Sequence, residues 1–450
     1  MTQTLTGKPF GPTANSASSR TSLAALALSL AVAFLGSPQP LSAAESELPL
    51  GWPEFHGEAS RGFVVGGEVP RSWGPGDYAW RRDLGSRDVG SPVIADGRVF
   101  YLVSRPDRNE IAVEAADLDS GELRWSRAFP QNPHPLHRRN TLASGTPTVD
   151  GDRLFVAWSD PEQTVLRSFG LDGEEIWSRD FGRWQSQHGF GTSPRVFGSM
   201  VLLFNSQQAE QLSPGEEPGA SRMIAVDRDS GETLWESELK ATRTCYGVPA
   251  IYRPADGPVQ IVNANTGNGL FGLDAATGKM LWSKPVFSMR VCGTPLIVGD
   301  IAIGTAGSGG GGNHLVAVRI PEPGGEPEEL YRIERGAPYV PTPAVKDGLL
   351  YMVSDNGIAS CVDPTTGETR WMSRIGGTFG ASPVIIGNTL LLIDLDGKAT
   401  LLRAAETFEK LGQVDLGGYV GATPAFADGR LVLRVDTELR CLPASQGLSE

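Results

Sequence analysis

Residues 272–282 read Gly-Leu-Asp-Ala-Ala-Thr-Gly-Lys-Met-Leu-Trp, and Thr294-Pro295 opens the next apolar run. Asp274 can accept hydrogen bonds from the amides of a turn and Gly278 can adopt a positive φ, so a tight turn between two strands is predicted. Similar stretches run from Asp119 to Trp125, from Asp227 to Trp235 and from Asp363 to Trp371. One phrase therefore recurs along the chain, which indicates a repeat architecture.

A proline marks the start of each copy, and the copies are 40 to 55 residues apart. The starts are Ser91-Pro92, Thr146-Pro147, Ser193-Pro194, Val248-Pro249, Thr294-Pro295, Thr342-Pro343, Ser382-Pro383 and Thr423-Pro424. An alternating apolar run and an Asp-Gly or Gly-Asn turn follow, as in residues 92–101, and this pattern predicts a β-hairpin. Repeats of this length with about four short strands are typical of β-propeller blades.

The ends of the chain predict how the ring closes. The last copy, residues 423–442, stops before its tryptophan, while an unpaired Trp80 precedes the first copy. A strand around Trp80 that completes the last blade would leave no open edge. Glycines two residues before several prolines also predict close backbone approach near an axis. We therefore predict an all-β, eight-bladed propeller of four-stranded antiparallel blades over residues 77–442. A stacked β-sandwich array is the alternative.

The tryptophan position gives the same number of blades. It is occupied by Trp80, Trp125, Trp177, Trp235, Trp282, Tyr331, Trp371 and a degenerate copy near Leu411. We expect these aromatic rings to fill the gaps between neighbouring sheets, with the indole N–H bonded to a backbone carbonyl.

The phrase Asp-x-x-Thr-Gly-x-x-x-Trp with Ser/Thr-Pro strand starts resembles the quinoprotein-type repeat, named for the pyrroloquinoline quinone (PQQ) alcohol dehydrogenases. The same repeat builds non-catalytic propellers, including the lipoprotein of the bacterial outer-membrane β-barrel assembly machinery. Residues 51–57, Gly-Trp-Pro-Glu-Phe-His-Gly, resemble the opening of secreted propellers of planctomycete-type bacteria, and His137 and residues 187–194 are similar to that group. The resemblance implies the fold but leaves the activity open.

The first 44 residues have the pattern of a secretory signal: Lys8 and Arg20 without an acid, an apolar run from Leu23 to Leu35, and Ser42-Ala43-Ala44 at a cleavage site. We expect cleavage after Ala44 and an exported protein, periplasmic or extracellular, with residues 45–76 as an N-terminal extension and 443–450 as a tail. An uncleaved anchor is the alternative, although the run is short for a membrane span. No cysteine lies near the cleavage site, which disfavours a lipoprotein.

The full chain carries a net charge of −13. Cleavage of the signal would remove the two positive charges of Lys8 and Arg20 and make the net charge more negative. An acidic surface disfavours nucleic acid and anionic membranes as partners. We expect a monomer without a membrane span after signal cleavage.

The cysteines and histidines give little sign of metal chemistry. Cys245 and Cys292 lie near the axis in neighbouring blades, where a disulfide is conceivable but the strands are expected to be far apart. Cys361 and Cys441 are expected to be buried thiols on matching third strands. His134 and His137 lie in a proline-rich loop without the helical spacing of zinc ligands. Residues 307–312 contain Gly-x-Gly-x-x-Gly but join two strands, so a hairpin loop is predicted rather than a phosphate site.

The resemblance to PQQ dehydrogenases implies a disulfide of adjacent cysteines, a calcium held by Glu, Asn and Asp, and a catalytic Asp. The sequence has no Cys-Cys pair, and neither the calcium ligands nor the base maps onto it. We therefore expect no cofactor, no metal and no catalytic residue. A reduced quinoprotein using PQQ, or a hydrolase using His137 and His188, is the alternative.

The segments just before each Ser/Thr-Pro should converge on one mouth of the central channel. Their basic and aromatic residues could attract an anionic or sugar-like ligand, a peptide or a protein. The predicted ligand-binding residues are His137, Arg138, His188, Arg243, Tyr246 and Arg290, within a wider set that adds Arg87, Phe190, Tyr339, Phe379 and Tyr419. In the competing interpretation the aromatic residues pack between blades and the arginines pair with acids such as Asp88. The prediction is a binding or assembly scaffold in the cell envelope.

Overall fold

The computed structural model describes residues 51–444, and these form a ring of eight antiparallel sheets. The predicted eight-bladed propeller is therefore confirmed. Each blade has a short inner strand that follows the proline, then two longer strands, then an outer strand that carries the tryptophan position. Two 3-10 turns, Glu58–Ser60 and Pro106–Arg108, accompany the strands.

The first four blades are formed by consecutive strands. Their bounds are Val93–Ala95, Arg98–Arg105, Glu110–Asp117 and Leu123–Pro130; Thr148–Asp150, Arg153–Ser159, Thr164–Gly170 and Glu175–Asp180; Arg195–Phe197, Met200–Asn205, Arg222–Asp227 and Thr233–Glu238; and Ala250–Tyr252, Gln260–Asn265, Gly269–Asp274 and Met280–Lys284.

The last four blades repeat this order. Their bounds are Leu296–Val298, Ile301–Ala306, His314–Arg319 and Glu328–Ile333; Ala344–Lys346, Leu349–Val353, Ile358–Val362 and Thr369–Arg374; Val384–Ile386, Thr389–Ile393, Lys398–Arg403 and Lys410–Asp415; and Ala425–Ala427, Arg430–Val435 and Glu438–Pro443, completed by Trp80–Asp83.

The strand from the N-terminal side closes the ring as predicted. Trp80–Asp83 pairs antiparallel with Glu438–Pro443, with Trp80 opposite Cys441. A buried ion pair reinforces the junction, because Nη2 of Arg434 lies 3.0 Å from Oδ2 of Asp88, and both side chains are essentially inaccessible to solvent. Arg434 also donates to the carbonyls of Gly90 and Leu102. The last blade is thus held to the first by charge as well as by strand pairing. Asp88 does pair with an arginine, although Arg434 is outside the predicted set.

The Ser/Thr-Pro phrase has a role that its sequence did not reveal. The hydroxyl of each residue before the proline accepts the backbone N–H of the corresponding residue in the preceding blade, over 3.0 to 3.3 Å. The series returns to its start, because the amide of Thr423 donates to Oγ of Ser91. We call this series the hydroxyl ring. It is interrupted once, where Val248 offers no acceptor to the amide of Ser193.

The tryptophan position links each blade to the next, as predicted. Nε1 of Trp125 donates to the carbonyl of Leu171 in the following blade over 2.8 Å, and the ring covers Gly173, where a Cβ would lie 2.6 Å from it. Most of the other copies make the same bond. Trp282 differs, because its Nε1 donates to the side chain of Gln260 in its own blade. The hydrophobic core lies between sheets, in clusters that join neighbouring blades.

The N-terminal extension crosses one end of the channel, a placement that the sequence did not predict. Gly51–Trp52 adds an antiparallel strand to the inner edge of the first blade, and Phe63–Val64 adds a parallel strand to the seventh. Between them, the carbonyl of Pro53 accepts the amide of Val149 in the second blade. Glu54 pairs with Arg195 of the third blade over 2.8 Å. We call residues 51–67 the plug.

The plug explains the motif in residues 51–57. The ring of Trp52 is buried against Gly57, where a Cβ would lie 2.8 Å from it. His56 is fully buried, and its Nε2 lies 2.7 Å from the carbonyl of Pro383 in the seventh blade. A glycine at position 62 is required beside it, because a Cβ there would lie 2.2 Å from that imidazole.

Several details differ from the sequence predictions. The turn carboxylate of the first blade is Asp117, which accepts the amides of Asp119 and Ser120; the predicted Asp119 instead lies beside Arg430 of the last blade. The last strand ends at Pro443 rather than at 442. All four cysteines are free thiols, and Cys361 and Cys441 are buried on third strands. The predicted signal in residues 1–44 and most of the predicted tail lie outside the described residues. Within residues 51–444, no helix has the length and apolarity to cross a bilayer.

Candidate functional site

A cavity of about 300 Å³ occupies the channel on the side of the proline starts. Its wall carries the hydroxyl ring, and Phe55 of the plug contributes to its lining. The plug contacts residues that follow the prolines, so it closes the channel from the end opposite the mouth. We call this one-ended space the mouth cavity.

Two insertions meet at the rim of the mouth cavity. The rings of His137 and His188 are stacked at 4.8 Å between centroids and 22° between planes. The amide of His137 donates to the carbonyl of His188, and Nδ2 of Asn140 donates to the same carbonyl and to that of Phe190. The structure therefore brings together the two histidines that the sequence singled out, with Asn140 as the connecting residue.

Arg290 is the most deeply buried cation in the mouth cavity, at 6% exposure. Its Nε donates to the carbonyl of Thr244 over 2.9 Å, and Nη1 lies 3.0 Å from Nε2 of His188. Arginine can only donate, so His188 is the acceptor and carries its proton on Nδ1. That Nδ1 has no hydrogen-bond partner within residues 51–444, and neither has the hydroxyl of Tyr246.

The surroundings keep both histidines neutral. Burial, followed by Arg290 and His137, lowers the pKa of His188 to about 4. Partial burial and the charges of Arg138, Arg139 and Arg290 lower the pKa of His137. In the part of the chain that the structure describes, neither imidazole is hydrogen-bonded to a serine, threonine or cysteine side chain. The geometry thus lacks the nucleophile-and-base pair that a histidine-dependent hydrolase uses.

The predicted residues divide into three groups. His137, Arg138, His188, Tyr246 and Arg290 line the mouth cavity together with Tyr339 and Tyr419. Arg243 does not line it. Of the wider set, Phe190 packs on Trp184, Phe379 is buried between blades, and Arg87 lies 4.6 Å from the ring centre of Tyr419. Phe190 and Phe379 therefore fit the competing interpretation, in which the aromatic residues pack between blades.

Sequence reasoning missed Arg139, Asn140, Cys292 and Phe55, which also line the mouth cavity. Arg139 pairs with Asp355 over 3.3 Å. The other oxygen of Asp355 accepts the amides of Tyr339 and Val340, so this carboxylate is fully engaged in the wall. Burial raises the pKa of the Cys292 thiol to about 12, which keeps it protonated. Only the histidine spacing and the proline phrase could have pointed to this region.

The residues of the mouth cavity do not fit a calcium-bound PQQ. Calcium takes six to eight oxygen ligands, with carboxylates among them. No aspartate or glutamate of residues 51–444 lines the cavity. Nor do these residues contain a group of three or more His, Cys, Asp and Glu side chains placed to hold a metal. The cationic lining of Arg138, Arg139 and Arg290 would instead repel a metal ion.

The fold and the site define a quinoprotein-type β-propeller with a one-ended, cationic and aromatic cavity. More specifically, the chain belongs to the family described as outer membrane protein assembly factor BamB, which it matches over residues 63–185, 219–321 and 329–411.

Curated relatives in this family share modest identity with the chain. It is 24% identical over 242 residues to the outer membrane protein assembly factor BamB of Nitrosomonas eutropha, covering 52% of each chain. It is 25% identical over 244 residues to that of Moranella endobia, covering 51% of this chain and 57% of the relative. The matches thus span about half the length of these relatives.

Solved structures share the fold. BamB from Moraxella catarrhalis has a TM-score of 0.57 at 16% identity, covering 81% of this chain and 98% of that one. A europium-containing methanol dehydrogenase has a TM-score of 0.61 at 14% identity, covering 86% and 90%. The quinohemoprotein alcohol dehydrogenase of Comamonas testosteroni has a TM-score of 0.57 at 15% identity, covering 90% and 82%. At these identities the likeness concerns the fold alone.

Proposed function

We propose that this protein is an exported, non-catalytic propeller of the cell envelope that serves the assembly of outer membrane proteins by binding a protein or peptide. The observation that carries the proposal is the chemistry of the mouth cavity. Its polar lining consists of arginines, hydroxyls, the amide of Asn140, the thiol of Cys292 and two histidines whose pKa values are lowered. Such a lining can hold a chain segment, and in the described chain neither histidine is hydrogen-bonded to a serine, threonine or cysteine side chain that it could activate.

The contacts between blades favour a rigid binding site. The hydroxyl ring ties neighbouring blades together at the mouth, and the ion pair of Arg434 and Asp88 locks the junction. The plug makes further contacts with the second, third, sixth and seventh blades. A site supported by such a scaffold keeps its shape when a partner binds, which lowers the entropic cost of binding. This suits a protein that presents a surface to others.

Family membership supports the assembly role. The curated relatives are outer membrane protein assembly factors, and the family profile covers more than half of this chain. The pattern of residues 1–44 supports export.

The experiment is deletion of the gene in the organism that encodes the protein, followed by quantitative mass spectrometry of the outer-membrane fraction. We expect lower amounts of outer membrane proteins, restored by the wild-type chain and by Arg319→Gln. Arg319 is a matched control, since it is half exposed and pairs with Asp300 at the end of the channel opposite the mouth. Restoration should be reduced for Arg138→Ala combined with His188→Ala. Unchanged outer membrane proteins after deletion would contradict the proposal.

A second measurement tests the absence of catalysis. The purified mature protein is mixed with PQQ, calcium, a primary alcohol and an electron-accepting dye. We expect no reduction of the dye above the rate without protein. Dye reduction that is abolished by substitutions in the mouth cavity would refute the non-catalytic role and establish the quinoprotein alternative.

A further inference from the structure

The buried guanidinium of Arg290 has no counter-ion. Within residues 51–444 no carboxylate oxygen lies within 4.0 Å of it, and its close polar neighbours are uncharged: the carbonyl of Thr244, the imidazole of His188 and the hydroxyl of Tyr339. Burying a charge is costly unless it is paired. Asp355, the nearby carboxylate, is engaged by Arg139 and two backbone amides. The charge of Arg290 is therefore uncompensated by the protein.

The groups around Arg290 include free hydrogen-bond donors. The guanidinium of Arg290 also neighbours the uncharged hydroxyl of Tyr339. Neither Nδ1 of His188 nor the hydroxyl of Tyr246 has a hydrogen-bond partner in the described chain. Arg138 lines the rim and forms no ion pair in the described chain. A cavity with free donors, positive charge and no carboxylate complements a group that only accepts hydrogen bonds and carries negative charge.

The apolar part of the cavity narrows the choice of anion. Phe55, Tyr246, Tyr339 and Tyr419 contribute aromatic surface, and Val89 and Val248 contribute aliphatic surface. A volume of about 300 Å³ suits a small organic molecule or the end of a chain. Of the three arginines in the lining, Arg139 is paired with Asp355 and Arg138 is exposed at the rim. The buried charge of Arg290 alone therefore matches a single negative charge better than the double charge of a phosphate monoester.

We propose that the mouth cavity binds an organic carboxylate with an apolar body, with Arg290 as the counter-ion and Tyr246 and Arg138 as further donors. The inference rests on the proposed binding role of the same cavity and states which chemistry is bound. The carboxylate can come from a free small molecule or from the C-terminus of a polypeptide.

The test is isothermal titration calorimetry with the purified mature protein and defined probes. Benzoate represents a free carboxylate, N-acetyl-Gly-Leu a polypeptide terminus, and benzamide and the C-terminal amide of the peptide are their uncharged counterparts. We expect at least one acid to bind and its amide to bind at least about tenfold more weakly, because a hydrogen bond to a charged group is lost. Binding of benzoate identifies a small-molecule site, and binding of the peptide acid alone identifies a chain terminus.

The variants locate the site. Arg290→Gln should weaken binding of the acid by about 10- to 100-fold, the range for a charge-assisted hydrogen bond. Arg138→Gln, at an exposed position, should weaken it less, and Arg319→Gln should leave it unchanged. Circular dichroism and the unfolding midpoint show whether Arg290→Gln folds. If it does not, Arg290→Lys provides the comparison, because it keeps the charge but loses the planar donor pair.

Three results would overturn the inference: no binding of either acid, equal binding of acid and amide, or tighter binding of inorganic phosphate than of both acids. These outcomes are separable from failure of the proposed function. Carboxylate binding together with unchanged outer membrane proteins after deletion would refute the assembly role only. Loss of outer membrane proteins without carboxylate binding would refute the ligand class only.

Discussion

The hydroxyl ring predicts that two single substitutions at equivalent positions change stability in opposite directions. Thr294→Val replaces a hydroxyl by a methyl group of nearly the same size and removes the acceptor 3.1 Å from the amide of Val248. Thr294 is 4% exposed, so water cannot readily replace that bond. An unsatisfied buried donor costs about 1–3 kcal/mol, so the free energy of unfolding should fall by about 2 kcal/mol.

Val248→Thr is the reciprocal change. It supplies the missing acceptor to the amide of Ser193 at a position that is as buried as Thr294, because Val248 is also 4% exposed. A hydrogen bond made on folding contributes about 0.5–1.5 kcal/mol, so we expect stabilisation of about 1 kcal/mol. The two substitutions involve the same pair of side chains and differ only in direction.

Both variants are measured by urea unfolding, followed by tryptophan fluorescence and by circular dichroism. With a slope of about 3 kcal/mol/M, Thr294→Val should lower the midpoint by about 0.7 M, and Val248→Thr should raise it by about 0.3 M. A midpoint for Thr294→Val equal to that of wild type, or a lower midpoint for Val248→Thr, would refute the ring as a source of stability.

Three further predictions concern other contacts. Arg434→Met leaves Asp88 buried without its partner and should cost about 3–5 kcal/mol in urea unfolding, whereas the double change with Asp88→Leu should recover part of that loss. Gly85→Ala should cost about 1–2 kcal/mol for its positive φ alone, and Gly173→Ala should lower the thermal midpoint further because its Cβ meets the ring of Trp125; equal midpoints would contradict this. The folded pKa of His188 is about 4 against 6.5 for the free side chain, so its contribution to stability is complete above about pH 6.5 and is lost as the pH falls towards 4. His188→Gln should therefore flatten the dependence of the urea midpoint on pH in that window, and an unchanged slope would contradict the assignment.

The fold was predictable because its determinants are local and repeated. A proline start, a turn glycine after an aspartate and a tryptophan on the outer strand lie close together within one copy. The same arrangement recurs along the chain, so eight copies indicate eight blades. Ring closure was predictable because Trp80 precedes the first copy and the last copy lacks its tryptophan, so the strand of Trp80 was expected to pair with the last blade. The turn carboxylate of the first blade was misassigned to Asp119 because two aspartates lie close together, and only the hydrogen bonds identify Asp117.

The site was predictable only in part, because its contacts join distant segments. The position before each proline indicated the channel mouth but not the direction of each side chain, so Arg243 was included and Arg139 was overlooked. The plug could not be predicted from the sequence, because the whole of the first and second blades lies between Glu54 and its partner Arg195 and no local pattern connects the two residues. The plug occurs once in the sequence, so its contacts with the repeated blades produce no periodic pattern from which they could be predicted.

Ring closure by Trp80–Asp83 also determines when the protein can finish folding. Arg81 meets Glu438 across 357 residues of chain, so this contact cannot form until nearly all the chain has been made. Contacts of such long sequence separation form slowly, because the entropy of closing the loop must be lost before the contact can compensate for it. Until then Trp80–Asp83 and the last blade each expose an unpaired strand edge, the feature that promotes aggregation in partly folded chains. The interval between synthesis of the first blade and arrival of the last is therefore the period in which this molecule is most vulnerable to misassembly.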